Sequence, residues 1–340
     1  MLKSKTNQGF TEFLTSVVIS SRYIPVWIAM CILLVAAYFV APATLSAASF
    51  TAVLPLTAFL VIVSLGQMLV VMTGGIDLST PGIMTLAAFV TVGVGAGQNE
   101  NILKGLAMAL AVSALIGFTN GFLVGVFRLN ALIVTLAIGQ ITRGALLKYA
   151  TQIANEASVP SGLSRWAISQ VYGVGWIFWI AVIVTLALTI ILTYTGVGRR
   201  FRAVGANQIA ARISGLRVTV YVVSAYVIAA MMYGLAGFLL AAFIRSPTQG
   251  LGAAYLLGPI AAVVIGGASL SGGLASVFST ALAAFFLTVL DQMLRVMGLP
   301  TSLQFVVFGV AIIGGMAVSG DRIVDMVEGL FQRRFAKAEE

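Results

Sequence analysis

The 340-residue sequence contains no histidine, one cysteine and only ten acidic residues. With no imidazole and Cys31 alone, the chain can build neither a Cys/His zinc site nor a His-based acid–base centre, and no intrachain disulfide can form. Charged residues make up 9% of the chain, against about 25% in ordinary soluble domains, while hydrophobic residues make up 60%. Water is therefore not its main solvent. Also absent is any Gly-x-x-x-x-Gly-Lys-Ser/Thr phosphate loop, so nucleotide-driven work has to come from another chain. No clustered acids or nucleophile–base constellation is present, which disfavours a membrane-embedded enzyme. No catalytic residue, metal site or cofactor is expected.

What is present is long apolar sequence. Between Arg22 and Asp77 lie 54 residues without a formal charge, and further charge-free runs cover 78–99, 105–127, 166–198, 218–244, 246–290 and 296–320. A bilayer crossing takes roughly 20 apolar residues, and only helices or closed barrels satisfy their backbone in lipid. Continuous runs are the helical solution, since barrel strands alternate. The expected fold is thus an all-α integral membrane bundle, with helices at 25–41, 50–72, 80–97, 105–127, 132–149, 172–194, 218–244, 257–270, 273–292 and 301–319. Residues 1–24 and 321–340 flank it as cytoplasmic segments, and the first apolar run reads as a retained helix and not a cleaved leader.

The net charge of +9 is distributed by topology. With a cytoplasmic amino terminus, inside segments collect thirteen Lys and Arg residues and outside segments five, the bias expected of cytoplasmic loops. Arg143 is left within a helix. Both termini then face the cytoplasm, and no single basic face suggests nucleic acid. The longest outside loop, 150–171, is rich in turn-forming residues from Asn155 to Ser164.

Shifting the chain by 192 residues aligns Leu65-Gly66 with Leu257-Gly258, Val71 with Val263, Gly74-Gly75 with Gly266-Gly267, and Leu78-Ser79 with Leu270-Ser271. Paired Gly-interrupted apolar segments mark a transport pathway, where a broken helix lines a cavity; close packing of small residues is the plainer alternative. The first copy carries Asp77, an acid that is costly facing lipid, where the second has Ser269. With ten helices the two copies run in the same direction, whereas an odd number of crossings between them would make the repeat inverted; the sequence alone leaves both orientations open.

The segment 198–217 is too polar to span. Asn207 suits the N-cap of a short helix from Gln208 to Ser214, and Gly215 can supply its left-handed ending. Ile209 and Ile213 would form an apolar stripe amid Arg199, Arg200, Arg202, Arg212 and Arg217.

Three motifs make the chain similar to the ribose/arabinose/galactose-type permease family of ABC importers from about residue 25 to 320. They are Thr73-Gly74-Gly75-Ile76-Asp77-Leu78-Ser79, the run from Ala203 through Gly205, Asn207, Ala210, Ala211, Arg212, Ile213 and Gly215 to Leu216, and Ala261 to Gly273. Leu129 to Leu136, Arg143-Gly144 and Asn120-Gly121 add to the match. Thr80-Pro81-Gly82 departs from a commoner Val-Gly-Ser, and Tyr255 to Pro259 replaces a commoner run containing Glu-Leu-Asp.

The resemblance implies a permease of type II-like architecture in the bacterial inner membrane, importing a pentose, hexose or related sugar. Its implied partners are a cytoplasmic ABC ATPase, a periplasmic sugar-binding protein and a second permease copy or sister permease. It makes Gly205, Asn207, Ala210, Ala211, Arg212, Ile213 and Gly215 the ATPase-coupling helix segment. Gly74, Gly75, Asp77, Ser79, Arg143, Gly266, Gly267 and Ser269 become pathway or gate residues. Gln67, Asn120, Thr135, Gln140 and Gln292 are neutral polar candidates along the pathway, with interhelical hydrogen bonding as their alternative role. Asp77 and Arg143 are expected to be buried, with a mutual ion pair as one arrangement open to them. An ion-coupled secondary transporter is the rival reading, with Asp77 and Asp291 as its available titratable groups.

Overall fold

The computed structural model describes residues 23–153 and 158–319. The chain folds into helices joined by short turns, with one two-stranded hairpin.

Helix α1 (Ile24–Val40) has Pro25 in its first turn, where a missing N–H costs little, and packs through Met30, Leu33 and Ala37. Helix α2 (Ala47–Met72) is apolar on every side and is buried continuously from Thr57 to Met72, the signature of a helix at the centre of a bundle. Helix α3 (Thr80–Gly95) starts with Pro81 in its first turn, where a missing N–H costs little. Helices α4 (Ile102–Gly125) and α5 (Ala131–Ile153) follow, the latter capped by Asn130, whose Oδ1 accepts from the N–H of Leu132 at 3.0 Å.

Helix α4 pairs with α10 (Val218–Ile244) along a ladder of small residues at i+4 spacing, Ala109, Ser113, Gly117 and Gly121. A Cβ on Gly121 would lie 2.8 Å from Val223 Cα, so the two backbones are in contact. Lipid tails are as apolar as leucine, and such close packing replaces the hydrophobic drive available in water. On its other side α10 meets α2, where a Cβ on Gly66 would lie 2.8 Å from the Tyr233 ring.

The expected outside loop 150–171 is partly ordered structure. Residues 155 and 156 lie outside the described residues, but Ser161–Ile168 form helix α6, with Leu163, Ser164 and Ala167 buried. Strands β1 (Gln170–Val171) and β2 (Val174–Gly175) then close a hairpin on Tyr172 and Gly173, both with positive φ, the conformation a two-residue hairpin turn demands. This is why the next helix, α7 (Trp176–Thr189, extended by a π turn to Tyr194), starts four residues later than the helix expected at 172–194.

Helices α8 (Gly196–Ala206) and α9 (Gln208–Ile213) form the polar connection before α10. After α10 come α11 (Gly258–Ile265), α12 (Val277–Val296) and α13 (Thr301–Ser319). Helix α11 ends five residues short of the helix expected at 257–270, and α12 begins only after the glycines at 272 and 273, where Ser276 accepts from the Ser279 N–H. Among the described residues, six helices are long and apolar enough to cross a membrane: α2, α4, α5, α7 with its π turn, α10 and α12. Shorter apolar helices occupy 24–40, 80–95, 251–265 and 302–311.

Candidate translocation and coupling site

Helix α2 ends in a left-handed turn. Gly74, at φ +83°, donates its N–H to Val71 O (2.9 Å), and Gly75 donates to Val70 O (3.2 Å), the bond pair of a Schellman ending. Gly75 is required for a different reason, since a Cβ there would strike the Tyr226 hydroxyl. Beyond the turn, residues 75–79 have no regular secondary structure and run back beside α2. Gln67 holds them there. With its amide oriented to satisfy both groups, Gln67 accepts from the Asp77 N–H (3.1 Å) and donates to the Asp77 carbonyl (3.2 Å) and the Tyr233 oxygen (2.9 Å). Gln67 precedes the end of α2 by five residues, so the return covers roughly 7.5 Å of helix.

Asp77 is 1% exposed. Its Oδ1 accepts from the Ser79 N–H (2.8 Å) and hydroxyl (2.5 Å), and the Asn120 amide of α4 donates to Ser79 Oγ (2.8 Å). Thr135 of α5 accepts from the Leu78 N–H at 2.9 Å. One irregular segment therefore ties α2, α3, α4 and α5 together through side chains that satisfy its free backbone, which is how such chain is tolerated at membrane depth. Three buried polar atoms in this region, Asp77 Oδ2, Asn120 Oδ1 and the Tyr226 hydroxyl, have no hydrogen-bond partner among the described residues.

Helix α11 ends the same way, one residue out of the register that the identities predict. Gly267, at φ +83°, donates to Val264 O (2.9 Å), and Ala268 donates to Val263 O (3.1 Å). Gly74 is thus matched in conformation by Gly267 and not by Gly266, an offset of 193. Gly266 instead makes the close approach, since a Cβ there would lie 2.9 Å from Thr280 Cα. The two glycine pairs divide the same labour in opposite order. Asp77 then corresponds to Leu270 in place of Ser269, whose hydroxyl is 2.7 Å from that of Ser271.

The two breaks meet. Gly273 donates its N–H to Met72 O at 2.9 Å, and a Cβ on Gly272 would lie 3.1 Å from Gly74 N. The end of α8 closes over this junction: a Cβ on Gly205 would land on the Met72 carbonyl and lie 2.5 Å from Gly273 N. Gln208 adds a hydrogen bond from Nε2 to Thr73 O at 3.2 Å. Helix α9 follows as the sequence suggests, with Asn207 Oδ1 accepting from the N–H groups of Ile209 and Ala210 (both 2.9 Å), and Gly215 at φ +82°. Ala211 is the buried residue of α9, whereas Ala210 and Arg212 are exposed. Ile209 and Ile213 are 75% and 83% exposed.

Gln67, Asp77, Ser79, Asn120 and Thr135 therefore belong to one buried hydrogen-bonded node, whereas Ser269, Gly266 and Gly267 form a second break beside it. Arg143 does not join them. It lies exposed on α5 with no ion pair to Asp77, contrary to the expected burial. Asp291 pairs with Arg295 one turn away at 2.8 Å, and Gln140 is exposed. Tyr226, Tyr233, Gln208, Gly272 and Gly273 contribute and were not singled out by sequence; the Gly-Gly pair at 272–273 and two tyrosines at i, i+7 on α10 were the available signals.

A multi-pass helical membrane protein with broken helices meeting beneath a polar connecting helix is a transport component in class. The family model described as "Branched-chain amino acid transport system / permease component" matches residues 49–316, and the chain belongs to that family. It is 32% identical over 277 residues to a ribose import permease protein of Escherichia coli (strain K12), covering 79% of this chain and 85% of the relative. An autoinducer 2 import system permease protein of Yersinia pseudotuberculosis serotype O:1b is 30% identical over 289 residues, 85% of this chain and 82% of that one. A probable ABC transporter permease protein of Sinorhizobium fredii is 33% identical over 285 residues, 83% of each. No solved structure matches the chain. The ribose-type resemblance carried by the three motifs agrees with these relatives, and the chain is a permease component of the ABC-importer type, not an enzyme.

Proposed function

We propose that this chain is the membrane-spanning subunit of an ATP-driven importer for a sugar or a related small polar solute delivered by a periplasmic binding protein. The six long apolar helices together with α1, α3, α11 and α13 make ten crossings, with residues 1–24 and 321–340 as cytoplasmic segments. Helix α9 faces the cytoplasm and docks in an ATPase subunit; a second permease copy or sister permease completes the pathway. The matching glycine endings of α2 and α11 support an internal repeat whose halves run in the same direction.

The observation that carries the reading is the contrast within α8–α9. One side of this connection is seated on backbone atoms of both helix breaks, while its capped tip presents Ile209 and Ile213 to solvent. Burying an isoleucine contributes about 1.5–3 kcal/mol, so the tip is suited to a partner's groove. A rigid connection from that groove to the breaks lets closure of the ATPase favour one arrangement of the pathway over another, as a shift of populations requires. Gly74, Gly75, Asp77, Ser79, Gly266, Gly267 and Ser269, with Gln67, Asn120 and Thr135 behind them, form the gate; Arg143 has its place on the α5 surface.

The test is co-reconstitution with the ATPase and binding protein. Ile209→Glu with Ile213→Glu is expected to leave insertion intact but abolish ATP-dependent uptake and its stimulation of ATP hydrolysis. Unchanged uptake in that variant refutes the docking role of α9. Uptake that proceeds without ATPase and stops when the ion gradient is collapsed points instead to ion coupling.

A further inference from the structure

Beside the first break, a cleft of about 240 Å³ opens between the α4–α5 turn, α9 and the start of α10. Arg128 of the α4–α5 turn, Gln208 and Arg212 of α9, the Gly74-Gly75 break and Tyr226 of α10 line it. Neither guanidinium has an acidic partner among the described residues. The described carboxylates are engaged or distant: Asp77 is buried on Ser79 and does not line the cleft, Glu100 lies at the opposite end of α4, and Asp291 pairs with Arg295. Arg128 is moreover held at φ +54°, a backbone conformation that a long side chain rarely adopts. The Tyr226 hydroxyl is fully buried against Gly75 with no hydrogen-bond partner among the described residues, whereas buried hydroxyls are nearly always paired.

Two unpaired guanidiniums and a free hydroxyl donor around one small polar cleft make an arrangement that accepts a compact anion with several oxygens. Guanidinium forks match phosphate oxygens in geometry as well as charge. A neutral sugar would leave both charges uncompensated. We propose that this cleft binds a phosphate-bearing anion through Arg128, Arg212 and the Tyr226 hydroxyl, bridging the α4–α5 turn to α9. Because Arg212 sits on α9 and Gly74-Gly75 on the break, the bound anion clamps the connecting helix in its seat. The phosphate belongs either to a soluble phosphate ester or to a lipid headgroup.

Titration calorimetry and thermal unfolding of the purified full-length chain in detergent test this, with inorganic phosphate and then a pentose 5-phosphate as probes and chloride holding ionic strength constant. Saturable binding is expected, weakened at least tenfold in Arg128→Gln with Arg212→Gln and unchanged in Arg200→Gln, an exposed arginine of α8 outside the cleft. Tyr226→Phe is expected to leave the unliganded melting temperature in place, since its hydroxyl has no protein partner, and to weaken phosphate binding. If soluble phosphates do not bind, native mass spectrometry from phosphatidylglycerol and phosphatidylcholine nanodiscs reads the lipid source. Retained phosphatidylglycerol that is lost in the double variant assigns the phosphate to a headgroup. Neither soluble phosphate nor retained lipid, or an equal loss in Arg200→Gln, overturns the proposal.

Discussion

Gly205→Ala adds one methyl group where α8 crosses the two helix breaks, and its effect can be worked out from the surroundings. In an open helix this change gains up to about 1 kcal/mol in helix propensity. Here the new carbon would overlap the Met72 carbonyl and lie 2.5 Å from Gly273 N and 2.9 Å from Gly273 Cα. All three obstacles are backbone atoms, so no side chain can rotate away. Relief requires lifting α8 off the junction or breaking the hydrogen bond from Gly273 to Met72. Overpacking costs roughly 1–3 kcal/mol, and a buried carbonyl left without its donor roughly 1–3 kcal/mol more. A net loss of about 1–5 kcal/mol is expected after the propensity gain. Gly196→Ala, at the start of the same helix with only the tip of Arg199 within 4 Å, is the matched control and should be neutral or stabilising. Thermal unfolding in detergent reads the difference, and ATP-driven uptake in proteoliposomes should fall in Gly205→Ala alone. A Gly205→Ala protein as stable and active as Gly196→Ala would refute the close seating of α8.

Other substitutions probe the remaining parts. Asp77→Ala removes the acceptor of two buried donors on Ser79 and should lower stability by about 1–3 kcal/mol, while Asp77→Asn, which keeps an acceptor oxygen, should cost less; chemical denaturation of both variants gives the order. Gly117→Leu places a side chain against the Tyr226 carbonyl and Ala230 and should separate α4 from α10, seen as lost expression or protease sensitivity, whereas Gly144→Leu, with nothing within 4 Å, should not. Asn207→Ala deletes the cap of α9 at about 1 kcal/mol and should speed hydrogen exchange at Ile209 and Ala210, their amides having lost their acceptor.

Features written in local chemistry were legible before the structure. Helix α10 spans the charge-free run 218–244, because Arg217 and Arg245 bracket an uninterrupted apolar segment. The Asn207 cap, the short helix and the Gly215 ending were readable for the same reason, each depending on a few neighbouring residues. The register of the second break was not. Either glycine of Gly266-Gly267 can adopt positive φ, and the choice is made by Thr280 pressing on Gly266 from another helix. Tyr226 and Tyr233 escaped notice because an aromatic on an apolar helix gives no sign of what its hydroxyl will face. Arg143 failed in the converse way: an arginine within an apolar run does not reveal which side of the helix it occupies. The hairpin at 170–175 is too short for periodicity to register, though Tyr172-Gly173 carries its turn.

The joint between α8 and the breaks is made almost wholly of main-chain atoms: a Met72 carbonyl, a Gly273 amide and three glycines pressed together. A joint of this kind is blind to side-chain identity and responds only to distance. Its neighbours can change size and polarity freely, provided no carbon is added at the contact, so a mutational scan across it should read as tolerance punctuated by a few intolerant glycines. On the proposed coupling role, what passes through such a joint is displacement, with no chemical discrimination. Selectivity for the transported molecule must then reside elsewhere, and the same linkage can serve cargoes of quite different chemistry without alteration.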